Sequence, residues 1–279
     1  MERVYFSKKI IYQIKTKIVL SVLFLVIAFI ANAQKLPNVQ QISLRAPANI
    51  KIDGKLTEWG DQFQAYNHAT DIFYRMANDD ENLYLTVQAV DPDIINKIVD
   101  GGVTLTIQKS TDKKDKNNIS ITYPVADRKN HLMFNLRNRK GFVPDTSARA
   151  ADSTMLYNNK KLEINCKWIR IKGIPDLDTL LSVYNIDGIK AAGLFDRRKI
   201  YTFEISVGLK YLRFSANDAI KFAYHIRVNG GRPITPPTPD NGASATAPGV
   251  VRILAVSARL DGIRTTPTDF WGEYTLAKK

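Results

Sequence analysis

The chain has 279 residues, of which 44% are hydrophobic, and it contains a single cysteine, Cys166. One cysteine excludes an intramolecular disulfide, so the fold must rest on a hydrophobic core, which a chain of this length can supply. The formal net charge of +13 favours anionic partners such as acidic glycans or lipid headgroups, although scattered charges are also typical of a solvated surface.

Residues 1–33 have the pattern of an export signal. A basic stretch precedes an uncharged apolar run at 18–30, and Ala31-Asn32-Ala33 follows it. The run is shorter than the roughly 20 apolar residues that a membrane-spanning helix needs, so we predict cleavage after Ala33 rather than a retained anchor.

Export sets the expected environment of the remaining chain. Five basic residues and one acidic residue leave with the leader, which lowers the net charge to +9. We expect the protein in the periplasm, on the cell surface or secreted, without a stable membrane span, and this location argues against a nucleic-acid partner. Residues 34–41 form a predicted N-terminal linker.

Two hairpins are predicted early in the chain. Residues 72–77 and 83–90 form the first, because apolar residues alternate with polar ones and the Asn and Asp residues at 78–82 favour a turn. Residues 103–107 and 119–123 show the same alternation and form the second.

The segment 128–198 is less regular. Alternate positions from Leu162 to Trp168 are apolar, which predicts a strand, and Ile169 then takes the opposite phase. The change of phase predicts a bulge or twist near Trp168. Cys166 lies in this pattern as a small buried apolar residue.

Clean alternation returns at 201–207 and 222–228. Residues 232–249 are rich in proline, glycine and small polar residues, so we predict a flexible loop. Strand pattern resumes at 250–256 and 271–276, so the loop joins strands of one domain.

The pattern as a whole predicts an all-β fold, a single antiparallel β-sandwich covering residues 42–279. Helical pattern is confined to short turns at 93–99 and 208–214. The segment 128–198 is a predicted irregular insertion in this sandwich.

The sequence contains no recognisable catalytic set. It has no G-x-S-x-G elbow, no glycine-rich phosphate loop and no H-E-x-x-H, and its three histidines are isolated. We therefore predict that the protein is not an enzyme and needs no cofactor. Asp91 and Asp93 are a candidate calcium site, because oxygen-rich turns suit that ion, although solvated aspartates are the ordinary occupants of turns.

Five segments in this order resemble the family 9 carbohydrate-binding modules and their DOMON-like relatives. They are I-x-I-D-G-x-L-x-E-W at 50–59, A-N-D-D-E-N-L-Y-L-T-V-Q-A-V-D-P-D at 77–93, and the strand patterns at 201–209, 222–229 and 270–276. The resemblance implies an exported β-sandwich that binds sugars or, in some DOMON branches, haem.

The resemblance also implies a sugar clamp made by two tryptophans. Their positions fall near Ile98 and Thr265, and neither residue is aromatic. Asn229 does match a polar position near the family's site. The resemblance thus predicts the scaffold, whereas the ligand must be held by other residues.

Four residues are candidate ligand-binding groups in place of the clamp: Trp168, Tyr157, Arg227 and Asn229. Trp168 lies beside basic residues and offers a ring on which the C–H face of a sugar can stack, although packing at a sheet edge would explain it equally well. Trp59 and Trp271 are predicted to be structural.

Three functions from different classes follow. The first is an exported, non-catalytic carbohydrate-binding protein whose ligand is an anionic glycan. The second is a structural or protein-interaction module of the cell envelope that has lost the sugar site. The third is a haem-binding DOMON-type domain, for which Met76, Met133 and Met155 and the histidines are available without a spacing that selects an axial pair.

Overall fold

Two antiparallel sheets build the protein. The computed structural model describes residues 35–60, 62–108, 118–126, 134, 136, 147–215, 220–233 and 262–278. The compact unit that contains both sheets begins at Pro37, earlier than the predicted start at residue 42. The export signal predicted at 1–33 lies outside the described residues, as does most of the loop predicted at 232–249 and the whole strand predicted at 250–256.

The described residues form eleven strands, three helices and a further helical segment that includes residues 262–265. The strands are β1 (Ala65–Asn67), β2 (Ile72–Asn78), β3 (Asn82–Ala89), β4 (Val103–Gln108), β5 (Asn118–Val125), β6 (Trp168–Lys172), β7 (Leu180–Ser182), β8 (Lys190–Phe195), β9 (Tyr201–Gly208), β10 (Lys221–Val228) and β11 (Thr268–Thr275). The helices are α1 (Pro92–Gly101), α2 (Ala148–Asn165) and α3 (Leu209–Leu212).

The two sheets pack face to face through their apolar sides. The five-stranded sheet has the order β1-β2-β3-β9-β8, and the six-stranded sheet has the order β11-β10-β4-β5-β6-β7. The hydroxyls of Tyr74 on β2 and Tyr224 on β10 meet across the core at 2.9 Å. The rings of Tyr123 on β5 and Phe203 on β9 lie 6.0 Å apart. The prediction of an all-β sandwich is confirmed.

Both predicted hairpins are present. Strands β2 and β3 pair in antiparallel register, and the turn between them is held by Asp79, whose Oδ1 accepts hydrogen bonds from the backbone N–H of Glu81 at 2.8 Å and of Asn82 at 2.7 Å. Strands β4 and β5 pair in the same manner. Alternation and turn chemistry together predicted these elements.

The strand predicted from Leu162 to Trp168 is wrong, because the residues up to Asn165 belong to helix α2. The hydroxyl of Ser147 caps the helix by accepting from the N–H of Ala150 at 3.2 Å. Asn159 then ties α2 to β8, since its side chain exchanges two hydrogen bonds with the backbone of Phe195. The bulge predicted near Trp168 exists in the partner strand, where the β5–β6 register shifts between Thr122 and Val125.

The outer side of the five-stranded sheet is covered by the segment 53–60. The carboxylate of Glu204 on β9 accepts from the backbone N–H of Asp53 at 3.1 Å and of Gly54 at 2.9 Å, and from Trp59 Nε1 at 2.6 Å. The side chain of Arg75 donates to the carbonyl oxygens of Trp59 and Gly60. Strand β9 is consequently buried on both faces.

Candidate functional site

The outer side of the six-stranded sheet is polar, and we call it the polar face. Its strands alternate buried apolar residues with hydroxyl, amide and basic residues that point away from the core, as in Val103-Thr104-Leu105-Thr106 of β4. On β6, Trp168, Arg170 and Lys172 are outward, while Ile169 and Ile171 are fully buried.

The strand register aligns these outward residues into two rows. The first row runs Arg227, Thr104, Thr122, Arg170 across β10, β4, β5 and β6. The second row runs His225, Thr106, Ser120, Lys172 across the same strands. Residues directly opposite each other in such rows have Cβ atoms about 5 Å apart, so each row forms a continuous polar strip.

Hydroxyl pairs lie at the centre of both rows. The Thr104 and Thr122 hydroxyls are 2.8 Å apart, and those of Thr106 and Ser120 are 3.0 Å apart. Asn229, which directly follows β10, donates from Nδ2 to Thr104 Oγ1 and to the carbonyl oxygen of Gly101, both at 3.0 Å. These bonds fix the orientations of the polar groups before any ligand arrives.

A shallow depression of about 310 Å³ lies over these rows. It is lined by Gly101, Thr104, Ser120, Thr122, Arg170, Lys172 and Asn229. The lining therefore combines hydroxyl and amide groups with two cations, and the described residues contribute no carboxylate, imidazole or thiol to it.

The charges on the polar face are separated. The two acidic groups on β11 have partners: Asp269 lies 3.5 Å from His225, and Glu273 pairs with Lys221 at 2.5 Å. At the opposite side of the sheet, Arg170 and Lys172 form no ion pair with any residue that the structure describes. Within the part of the chain that the structure describes, the β6 side of the depression is thus a region of positive charge without an acidic partner.

Three of the four candidate ligand-binding residues lie on this face. Asn229 lines the depression, Arg227 is exposed at the end of the first row, and Trp168 is 42% exposed on β6, two residues from Arg170. Arg170 and Arg227 are separated by three strand spacings, about 14 Å. Their role in binding remains a prediction.

Tyr157 is not among them. It stands on α2, the helix that is tied to β8 of the five-stranded sheet, and it is 53% exposed with the Lys161 ammonium 4.6 Å from the ring centre. Proximity in sequence to Trp168 therefore does not bring it to the polar face.

The backbone beneath the depression is closely packed at a glycine pair. Gly102 has a φ of 78°, and a Cβ there would lie 2.5 Å from the carbonyl oxygen of Pro124. A Cβ on Gly101 would lie 2.8 Å from the carbonyl oxygen of Asn229. This close approach lets the Asn229 side chain reach the Gly101 carbonyl.

An ion pair anchors the rim beside it. The Asp100 side chain, only 5% exposed, accepts from Arg232 Nε at 2.9 Å and from Arg232 Nη2 at 2.7 Å. Asp100 also accepts from the backbone N–H of Arg232. The chain that leaves β10 after Asn229 is therefore fixed to the end of α1.

The positions of the implied tryptophan clamp are structural in this chain. Ile98 is completely buried in α1, so it cannot reach a ligand. The backbone of Thr265 packs tightly against Gly230, where a Cβ would overlap the Thr265 carbonyl oxygen. Trp59 is structural as predicted. Trp271 also makes a structural contact, because its ring stacks on that of His225 with the centroids 4.5 Å apart, but it lies on the polar face and not in the core.

The structure gives Asp91 a different role from the predicted calcium ligand. Its side chain caps helix α1 by accepting from the backbone N–H of Asp93 at 2.7 Å and of Ile94 at 3.2 Å. Across the described residues, no cluster of three or more His, Cys, Asp or Glu side chains is arranged to hold a metal ion. Calcium binding at Asp91 and Asp93 remains a prediction.

The sequence did not single out Thr104, Ser120, Thr122, Arg170 or Lys172. Alternation with apolar neighbours did place the hydroxyl residues of β4 and β5 on the outer face. The missing information was the pairing of β5 with β6, which follows a long and irregular segment and brings Arg170 opposite Thr122.

No family model matches the chain, and no curated protein matches it. Among solved structures, a family 9 carbohydrate-binding module from Caldicellulosiruptor kristjanssonii in complex with glucose is similar at a TM-score of 0.42 and 10% identity, covering 85% of this chain and 96% of that chain. Among the described residues, no helix has the length and apolar character needed to cross a membrane.

Proposed function

We propose that this chain is a non-catalytic module that binds carbohydrate on the polar face, and that its ligand is an anionic glycan. One observation carries the proposal. A depression lined by oriented hydroxyl and amide groups adjoins Arg170 and Lys172, two cations that have no acidic partner among the described residues.

The neutral part of the lining suits sugar hydroxyls. Threonine and serine hydroxyls both donate and accept hydrogen bonds, and the Asn229 amide offers both functions in a single group. Trp168 adds an exposed ring on the same sheet face, against which the apolar C–H side of a sugar can stack. This combination of a stacking surface with a few oriented polar groups is typical of small-ligand sites.

The cationic part suits an acidic substituent. Guanidinium groups bind carboxylates and sulfates through paired hydrogen bonds, and an ammonium adds a point charge. Arg170 and Lys172 are two residues apart on one strand, which places their Cα atoms about 7 Å apart. An acidic sugar unit placed over Thr122 and Ser120 would contact both cations.

The same lining supports binding rather than catalysis. General acid–base chemistry needs a titratable group of suitable pKa at the reacting bond. The described lining residues provide only hydroxyl, amide, guanidinium and ammonium groups.

Affinity electrophoresis tests the proposal with three polymers. Polygalacturonate carries carboxylates, dextran sulfate carries sulfate esters, and dextran is the neutral match of the latter. We expect retardation by one or both acidic polymers that weakens as salt screens the charges. The variants Arg170→Gln and Lys172→Gln should lose this retardation, whereas Lys190→Gln, which removes an exposed cation from β8 of the other sheet, should keep it.

Two results would contradict the proposal. If none of the three polymers retards the wild-type protein, the proposal of carbohydrate binding is contradicted. Equal retardation of Arg170→Gln, Lys172→Gln and Lys190→Gln would show that binding follows net charge and does not involve the depression.

We also propose that the protein is exported and that residues 1–33 are removed. Support comes from the basic leader, the apolar run at 18–30 and the Ala31-Asn32-Ala33 sequence. Protein recovered from the periplasm or medium should begin at Gln34 when its N-terminus is sequenced. An intact N-terminus in a membrane fraction would contradict this proposal.

One observation favours the alternative of a protein-interaction module. The connection between β7 and β8 presents Tyr184 at 73% exposure and Ile186 at 99% exposure. Exposed apolar groups of this kind mark protein contacts when they form a patch. A defined envelope partner that is lost with Ile186→Asp and retained with Arg170→Gln would favour this function over glycan binding.

A further inference from the structure

The Asn229 amide has one defined orientation. The carbonyl oxygen of Gly101, 3.0 Å from the amide, can only accept a hydrogen bond, so the nitrogen of Asn229 must face it. The second N–H of the same group then points at Thr104 Oγ1, also at 3.0 Å. Thr104 is therefore an acceptor toward Asn229.

This assignment sets the direction of the next hydrogen bond. Thr104 Oγ1 lies 2.8 Å from Thr122 Oγ1 and 3.4 Å from Asn229 Oδ1. The shorter distance is the ordinary one for a hydroxyl pair, whereas the longer one is at the limit of a hydrogen bond. The Thr104 proton therefore goes to Thr122, which becomes an acceptor in turn.

The Thr122 hydroxyl proton is then left for a ligand. Thr122 is 7% exposed, lines the depression, and has no other hydrogen-bond partner among the described residues. Its methyl group is packed beside Gly102, where an added Cβ would lie 2.9 Å from Thr122 Cγ2, so the rotamer is held. Arg170 is its direct cross-strand neighbour on the same face.

We propose that Asn229, Thr104 and Thr122 form a directed hydrogen-bond relay that makes Thr122 an obligatory donor, and that this donor and Arg170 together bind an anionic oxygen of the glycan. The inference rests on the proposed function and adds the atom that recognises the acidic group. The polarised chain strengthens the terminal donor. A carboxylate or sulfate oxygen, which accepts only, satisfies that donor better than the hydroxyl of a neutral sugar.

Calorimetric titration with trigalacturonate and its methyl ester tests the relay. Thr122→Val removes the hydroxyl and keeps the shape, so the affinity for trigalacturonate should fall about tenfold or more, as for loss of a hydrogen bond to a charged group. The affinity for the methyl ester should change much less. Thr122→Ser restores the donor and should bind trigalacturonate nearly as wild type does. Thr104→Val leaves the Thr122 proton available and should cost less than Thr122→Val.

The possible results separate the two claims. If wild type binds trigalacturonate and Thr122→Val binds it equally well, the Thr122 hydroxyl does not donate to the ligand and the inference is overturned, while glycan binding stands. If wild type binds only the methyl ester, the anionic part of the proposed function fails. If wild type binds neither sugar nor dextran sulfate, the whole of the proposed function fails. The inference fails with it in both cases. If circular dichroism shows that Thr122→Val is unfolded, Thr122→Ala takes its place. Affinity gels with dextran sulfate, run with the same variants, distinguish a sulfate ligand from a carboxylate ligand.

Discussion

Replacing Glu204 by Gln should weaken the attachment of the segment 53–60 to the five-stranded sheet. Glu204 Oε2 accepts from the N–H of Asp53 at 3.1 Å and of Gly54 at 2.9 Å, and Oε1 accepts from Trp59 Nε1 at 2.6 Å. A Gln amide has one oxygen, so its NH₂ group must face either the backbone donors or the indole donor. A buried donor without an acceptor costs about 1–3 kcal/mol, and we expect Glu204→Gln to lower the free energy of unfolding by about 2 kcal/mol.

Equilibrium unfolding in urea, followed by tryptophan fluorescence, measures this change directly. A loss of that size in a unit of this length also lowers Tm by about 4–8 °C. Glu273→Gln is the matched control, because Glu273 is a half-exposed carboxylate paired with Lys221 at the surface. Its free energy of unfolding should stay within about 0.5 kcal/mol of wild type. Equal stability of the two variants would refute the role assigned to Glu204.

Further predictions concern pH, backbone packing and stacking. Burial raises the pKa of the Glu204 carboxyl, so the stability that its protonation adds is present below the ordinary pKa and is lost as pH rises through the raised value. Urea midpoints measured upward from about pH 4 should fall more steeply for wild type than for Glu204→Gln, and parallel curves would contradict this. Gly102→Ala and Gly188→Ala both place an alanine at a positive φ, but only the new Cβ at 102 clashes with the Pro124 carbonyl oxygen. In urea unfolding, Gly102→Ala should therefore lose about 1–3 kcal/mol more of the free energy of unfolding than Gly188→Ala does. Trp168→Ala should weaken glycan binding about threefold to tenfold in affinity gels with little change in Tm, and the reverse pattern would make Trp168 structural.

Local patterns predicted most of the sheet elements. Strand β3 follows from the alternation of residues 82–89, and the turn before it follows from Asp79, whose side chain binds the backbone two and three residues further on. The alternation and the turn residue both act over a few residues, so they can be recognised in the sequence without knowledge of the partner strand.

Two errors have the same physical origin. The alternating apolar residues near Leu162 suggested a strand, but the cap at Ser147 and the Asn159 contacts with β8 favour a helix there. The alternation at 201–207 puts Glu204 on the strand face opposite Phe203 and Ile205 and so predicts a solvated carboxylate, yet Glu204 is fully buried, because the segment 53–60 folds over it. In both cases a tertiary contact overrides the local pattern.

In the candidate site, too, some residues are predictable from local sequence pattern and others are placed only by tertiary contacts. Asn229 and Arg227 follow from the sequence because they end a patterned strand that resembles a known scaffold. Arg170 and Lys172 do not, because their strand follows an irregular segment and a helix that the pattern failed to predict.

The sequence by itself determined the period of the strands, the turn residues and the polar character of the outward positions, since these depend on neighbouring residues along the chain. Only the tertiary structure decided that Thr122 lies between Thr104 and Arg170. That alignment is set by the hydrogen-bond register of strands far apart in sequence, and a shift of one residue would turn every outward side chain toward the core. The ligand-binding chemistry proposed for this protein depends on that register.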